Sequence, residues 1–141
     1  MELNLITENQ LGAAKGTAVE EDVRANFNGE NSEVGWYLAV ARQAQREGYP
    51  EIAEVLKTIA WEEALHAARF GELNGEISIS TKENLEKALQ GEQKSNQMKK
   101  QSAKVAKENN LDEVHDAFDE AAKDEARHAQ ALKGLLGRYF K

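Results

Sequence analysis

Apolar residues recur along this chain at steps of three and four, inside long tracts rich in Ala, Glu, Lys, Gln and Leu. That period belongs to a helix with one buried stripe. β-branched residues rarely cluster and proline occurs once, so nothing competes for strand. The pattern predicts four helices. Thr17-x-x-Glu20 reads as a capping box opening the first, which runs to about Glu47 and stops at the turn "EGYP". Pro50 suits the first turn of a second helix, which ends near Asn74 where Gly75 and the β-branched residues of "NGEISIS" break the pattern. Thr81 is expected to cap a third helix reaching about Glu108. Asn110 suits a left-handed turn, and Asp112 is expected to cap a fourth helix ending near Tyr139.

Two short segments give this all-α pattern a chemistry. "WEEALHAARF" carries Glu63-x-x-His66, and "KDEARHAQAL" carries Glu125-x-x-His128 at an offset of 62 residues for both members. Sliding the chain by the same 62 positions without a gap superposes Gly29-Glu30 on Gly91-Glu92 and Ala41 and Ala44 on Ala103 and Ala106. Ala60, Ala64, Ala67, Leu73 and Gly75 fall likewise on Ala122, Ala126, Ala129, Leu135 and Gly137. The chain therefore reads as one helical hairpin built twice, over residues 17–75 and 81–141, behind an N-terminal arm of residues 1–16.

Each half supplies one glutamate on its first helix, Glu30 or Glu92, and a Glu-x-x-His on its second. At a spacing of three, the carboxylate and the imidazole project from one helix face a turn apart. One such pair is ordinary on a helix surface. Surface pairs, however, have no reason to share a register with each other and with two further glutamates. A Glu from each of two helices plus Glu-x-x-His from each of the others is the set by which ferritin-like four-helix bundles hold two iron or manganese ions. Four carboxylates balance two divalent cations. His115, with Asp112 three before it, falls opposite Pro50 and Ala53 and reads as a surface or interface histidine. Tyr37, seven residues after Glu30 on the same stripe, can serve as hydrogen-bond donor to a ligand carboxylate or as a core ring.

Composition narrows the chemistry. The 141 residues, 40% hydrophobic, suffice for one domain. A net charge of −7 and a pI near 5.1 argue against nucleic acid and anionic membranes, whose recognition needs clustered Lys and Arg. With no cysteine there is no disulfide, no thiolate nucleophile and no Cys-bound zinc or iron. Any metal must sit on oxygen and nitrogen. No signal-peptide pattern and no spanning run is present, which predicts a cytoplasmic protein.

The stretch "FNGENSEVGWYLAVARQAQREGYPEIAEVLKTIAWEEALHAARF" resembles the di-iron domain of rubrerythrins, with a Gly-Glu start, a Glu-Gly-Tyr turn and the Glu-x-x-His helix. It is most similar to reverse rubrerythrins, which share a C-terminus like "KDEARHAQALKGLLGRYF". The resemblance covers about residues 20–141. It implies a non-haem di-iron peroxidase that reduces hydrogen peroxide to water in oxidative-stress defence, with electrons from NAD(P)H relayed through rubredoxin. Its ligands would be Glu30, Glu63, His66, Glu92, Glu125 and His128 around two iron ions, with manganese or zinc as substitutes. Peroxide takes two electrons, one from each ferrous ion.

Two departures qualify the resemblance. The cysteine-free chain has no rubredoxin centre, so the donor must be a separate protein. Common rubrerythrins carry an extra carboxylate three residues after the third-helix ligand; here that position is Ser95, and its counterpart under the repeat is Glu33. Glu33 is therefore a candidate seventh ligand, competing with His128 for one iron, against the alternative of a solvent-facing glutamate. A ferroxidase or iron-handling role, and a purely structural metal, stay open beside peroxidase. The link between the second and third helices is also short. In a ferritin-like arrangement it must cross about 32 Å, but seven residues reach only about 25 Å. A domain-swapped homodimer, or a higher homo-oligomer, is expected.

Overall fold

A computed structural model describes residues 10–141; of the arm, residues 1–9 lie outside the described residues. The described chain is all-α, in the order α1 (Glu20–Arg46), α2 (Pro50–Asn74), α3 (Thr81–Glu108) and α4 (Asp112–Tyr139). The described residues fall into two compact units, residues 10–79 and Ser80–Lys141, each built on a helical hairpin, with α1 packed on α2 and α3 on α4. No helix among the described residues is long and apolar enough to cross a membrane.

Both hairpins close on small residues. In the first, Ala41, Ala44, Ala53, Ala60 and Ala67 are buried; in the second, Ala103, Ala106 and Ala122. Ala41, Ala44 and Ala60 are the 62-residue counterparts of those last three, so the repeat is at its core a repeated alanine seam that lets two helix backbones approach closely. Gly71 serves the same end, for a Cβ there would lie 2.9 Å from the Phe27 ring. The larger apolar side chains, among them Leu38, Ile52, Val55 and Leu65 in the first hairpin and Val105, Val114 and Leu135 in the second, stand exposed.

The turns follow the residues that permit them. Gly48 (φ 85°), Gly75 (φ 72°) and Asn110 (φ 58°) take left-handed backbone where α1, α2 and α3 end. The caps differ from the sequence reading in three places. Helix α1 begins at Glu20 with Val19 at its N-cap, so Thr17 stands two residues before the cap and its Oγ1 accepts from Val19 N at 3.4 Å rather than from an amide inside the helix. Its hydroxyl turns back to donate to Ala14 O (2.7 Å), while the Glu20 carboxylate accepts from Gly16 N (2.8 Å). Ser80, not Thr81, caps α3, because its extended backbone lets Oγ accept from Glu83 N, three residues on, at 3.3 Å. Asp112 is the first residue of α4 rather than its cap, and its carboxylate is drawn to Lys107 at 3.0 Å.

The segment before α1 packs on the end of α2. Gly12 N donates to Glu72 O (2.8 Å) and Ala14 N to Leu73 O (3.0 Å), supplying donors to carbonyls that a helix end leaves free.

Candidate metal centre

In the first hairpin, α1 presents Glu30 and α2 presents Glu63 and His66. His66 Nδ1 lies 3.1 Å from Glu63 Oε2 and 3.7 Å from Glu30 Oε2. In the second, α3 presents Glu92 and α4 presents Glu125 and His128, with His128 Nδ1 3.4 Å from Glu92 Oε2 and 3.9 Å from Glu125 Oε2. Within each triad one donor atom from every residue lies within 4.8 Å of the others. The carboxylates are half-buried and the imidazoles exposed.

The carboxylates are set against each other. Glu30 is pushed above the ordinary range, first by the hydrogen bond its protonated form makes to Glu63, then by burial and by the charge of Glu63. Glu63 is correspondingly lowered by that bond and by His66. Glu92 is raised chiefly by Glu125, while Glu125 is held down to about 2 by Glu92 and then by Lys99. In each pair the first-helix glutamate holds a proton more tightly than its second-helix partner. His66 is raised, foremost by Glu63.

Two atoms test whether a metal suits these triads. Oε2 of Glu30 and Oε2 of Glu92 are buried with no hydrogen-bond partner. A buried oxygen without a donor is costly, and the same atom is orphaned in both hairpins, each time beside an imidazole nitrogen. A cation satisfies such an oxygen as a donor would. Carboxylate and imidazole ligands suit iron, manganese or zinc, so the residues fit the group. Gly29 and Gly91, one residue before Glu30 and Glu92, open onto space in which an added Cβ would meet nothing within 4 Å.

Glu33 is exposed and lies outside the Glu30–Glu63–His66 group. It lines a shallow cavity with Glu30, Gly29, Asn26 and Ala25 and adds slightly to the upward push on Glu30. The Tyr37 ring packs edge-on against Trp36 at 5.1 Å. His115 pairs with its neighbour Asp116 at 2.9 Å rather than with Asp112.

One contact at the centre was not foreseen in the sequence. Lys99 Nζ bonds Glu125 Oε1, and Ser95 Oγ donates to the same oxygen at 3.2 Å. The signal was available, since Lys99 stands seven residues after Glu92 as Tyr37 stands after Glu30.

Similarity to known proteins accords with this geometry. The rubrerythrin family model matches residues 21–136. An uncharacterized protein of Methanocaldococcus jannaschii is 60% identical over the full length of both chains. Reverse rubrerythrin-1 of Clostridium acetobutylicum is 53% identical across 95% of this chain and 76% of its own. Rubrerythrin of Porphyromonas gingivalis is 32% identical across 86% of this chain and 68% of its own. With its paired Glu/His triads and a family match over most of its length, the chain belongs to the rubrerythrin family of ferritin-like di-iron proteins.

Proposed function

We propose that this protein is a non-haem di-iron peroxidase that reduces hydrogen peroxide to water. Its electrons would come from a rubredoxin-type donor, a centre this cysteine-free chain does not contain. The observation that carries the reading is the pair of triads at one offset, each with an orphaned buried carboxylate oxygen beside an imidazole. Family membership supports the choice of iron and of peroxide.

In this reading Glu30, Glu63 and His66 together with Glu92, Glu125 and His128 complete one dinuclear site. When bound, two ferrous ions supply the two electrons that hydrogen peroxide consumes, with two protons, in becoming two waters. The four carboxylates balance the cations, and the alanines around them leave room for a small oxidant. Glu33 would enter the site from α1 in competition with His128, as the mirror of the carboxylate that common rubrerythrins carry at the position of Ser95 on α3. Di-ferric and di-ferrous crystal structures that both leave Glu33 away from iron would remove it from the ligand set. Tyr37 is the candidate donor to a ligand carboxylate from the same stripe.

We further propose that each site joins triads from two chains. Eleven steps separate Glu63 from the end of α2 at Asn74, and eleven separate Thr81 from Glu92. In an antiparallel bundle they add to about 33 Å at ~1.5 Å each. The seven steps from Asn74 to Thr81 reach only about 25 Å at ~3.6 Å each. Sedimentation of the metal-loaded protein is expected to give a dimer or larger; a monomer holding two metals in one site refutes the exchange.

Stopped-flow oxidation of the anaerobic di-ferrous protein by peroxide and by dioxygen tests the activity. Peroxide is expected to oxidise it faster. Faster reaction with dioxygen, followed by release of ferric iron, would point to iron handling instead. NADH-dependent turnover is expected only once rubredoxin and its reductase are added.

A further inference from the structure

The two triads repeat, but the groups that hold them do not. Lys99 and Ser95 on α3 both reach Glu125 on α4 and converge on one atom, Oε1. Ser95 Oγ in turn accepts from Lys99 Nζ at 2.5 Å, so the three side chains form a closed polar ring. Glu125 and Lys99 are 16% and 29% exposed, which makes this ion pair more withdrawn from water than most on the protein. Charge-assisted bonds of that kind are the stronger ones.

In the first hairpin the counterparts of Ser95 and Lys99 are Glu33 and Tyr37. Glu63 there meets Glu30 and His66, and no lysine or arginine contacts either glutamate among the described residues. The first triad has lost the cation, or the second has gained it. Either way, one carboxylate oxygen of Glu125 is engaged by an ammonium and a hydroxyl, while Oε2, on the side of His128, is left for a metal.

We propose that Lys99, assisted by Ser95, is a positioning residue that keeps Oε1 of Glu125 occupied and so makes the second triad the weaker of two unequal metal positions. Two effects act in the same direction. The ammonium competes with the metal for a ligand oxygen, and its positive charge opposes a dication nearby. The inference rests on the metal-centre reading of the triads but not on the reaction performed there.

Anaerobic titration of the full-length protein with Co(II), followed by calorimetry and by the metal's ligand-field absorption, separates the possibilities. The native protein is expected to fill two positions in two steps. Lys99→Met, which keeps the length and removes the charge, is expected to tighten the weaker step about tenfold, equivalent to about 1.4 kcal/mol, and to leave the stronger step alone. Lys99→Arg is expected to restore the gap, and Ser95→Ala to narrow it less than Lys99→Met does. Lys99→Tyr, which gives the second hairpin the residue of the first, should act like Lys99→Met and serves if that variant folds poorly. A merely structural lysine would give the opposite sign, because its loss would weaken binding. Weakened or unchanged binding in Lys99→Met and Lys99→Tyr, or a single affinity for both positions in the native protein, overturns the proposal. A native protein that takes up no metal overturns the metal-centre reading along with it.

Discussion

The first hairpin and the second share an alanine seam and a Glu-Glu-His triad in one register, yet they differ in polar side chains beside the triads. Ala41, Ala44 and Ala60 recur as Ala103, Ala106 and Ala122, all buried. Glu33 and Tyr37 in one correspond in the repeat to Ser95 and Lys99 in the other. The close approach of Phe27 to Gly71 corresponds to Leu89 and Lys133. The comparison separates what the architecture requires from what it permits: backbones must approach and the triads must stay in register, while the surroundings of each triad are free to diverge.

The triads offer the most severe way to break the comparison. If they serve one site, Glu63→Ala and Glu125→Ala should each empty at least one metal position and abolish most peroxide turnover. Metal analysis after desalting checks it. Two metals retained in either variant with undiminished turnover would show that the repeat is not a ligand set.

Acidity comes next. Glu30 and Glu92 are raised, so in the metal-free protein the stability they contribute is fully present below the usual carboxylate range and is lost as pH rises through their elevated values. Glu125 has the opposite sign: its contribution is present above 4.5 and is lost as pH falls toward about 2. Urea denaturation of metal-free protein against pH is expected to show both limbs, with Glu30→Gln weakening the upper one. Metal addition just above the usual carboxylate range should release protons, since a metal displaces those held by the pairs.

The helix packing allows a smaller, signed test. Gly71→Ala brings a Cβ within 2.9 Å of Phe27, and the overpacking should outweigh the gain in helix propensity, for a net loss of about 1 kcal/mol. Gly134→Ala, in α4 where nothing lies within 4 Å, should instead stabilise by about 0.8 kcal/mol. Thermal melts of the two variants should move in opposite directions. Ser80→Ala removes the cap of α3 at a cost of about 1 kcal/mol, whereas α1, with Val19 at its N-cap, has no such bond to lose.

The sequence was informative where geometry leaves little choice. Pro50 and Gly75 bound α2 at the positions that proline and left-handed glycine favour, and its observed limits agree with them. A spacing of three on a helix fixes which side chains meet, so each Glu-x-x-His pair was legible directly, while Glu30 and Glu92 were reached through the 62-residue repeat and the ferritin-like ligand pattern. Caps were harder, because a hydroxyl or carboxylate near a helix start chooses among several partners. Thr17 chose Ala14 O and Asp112 chose Lys107. Lys99 was missed for a related reason: a long, flexible cation in a chain with 18 Lys and Arg reads as solubility until its partner is seen.

The segment before α1 has no counterpart in the second hairpin, and this bears on how the molecule comes apart. At the end of α2, Gly12 and Ala14 donate to Glu72 O and Leu73 O, while Gly75 and Glu76 turn back onto Glu72 O and Gly71 O. At the end of α4, among the described residues, a single such bond, Phe140 N to Leu136 O at 3.0 Å, closes the last turn. Amide hydrogens there should exchange with deuterium by local fraying, while those at the end of α2 wait for a larger opening of the first hairpin. Among the described residues, the end of α2 is thus tied by more backbone bonds than the end of α4.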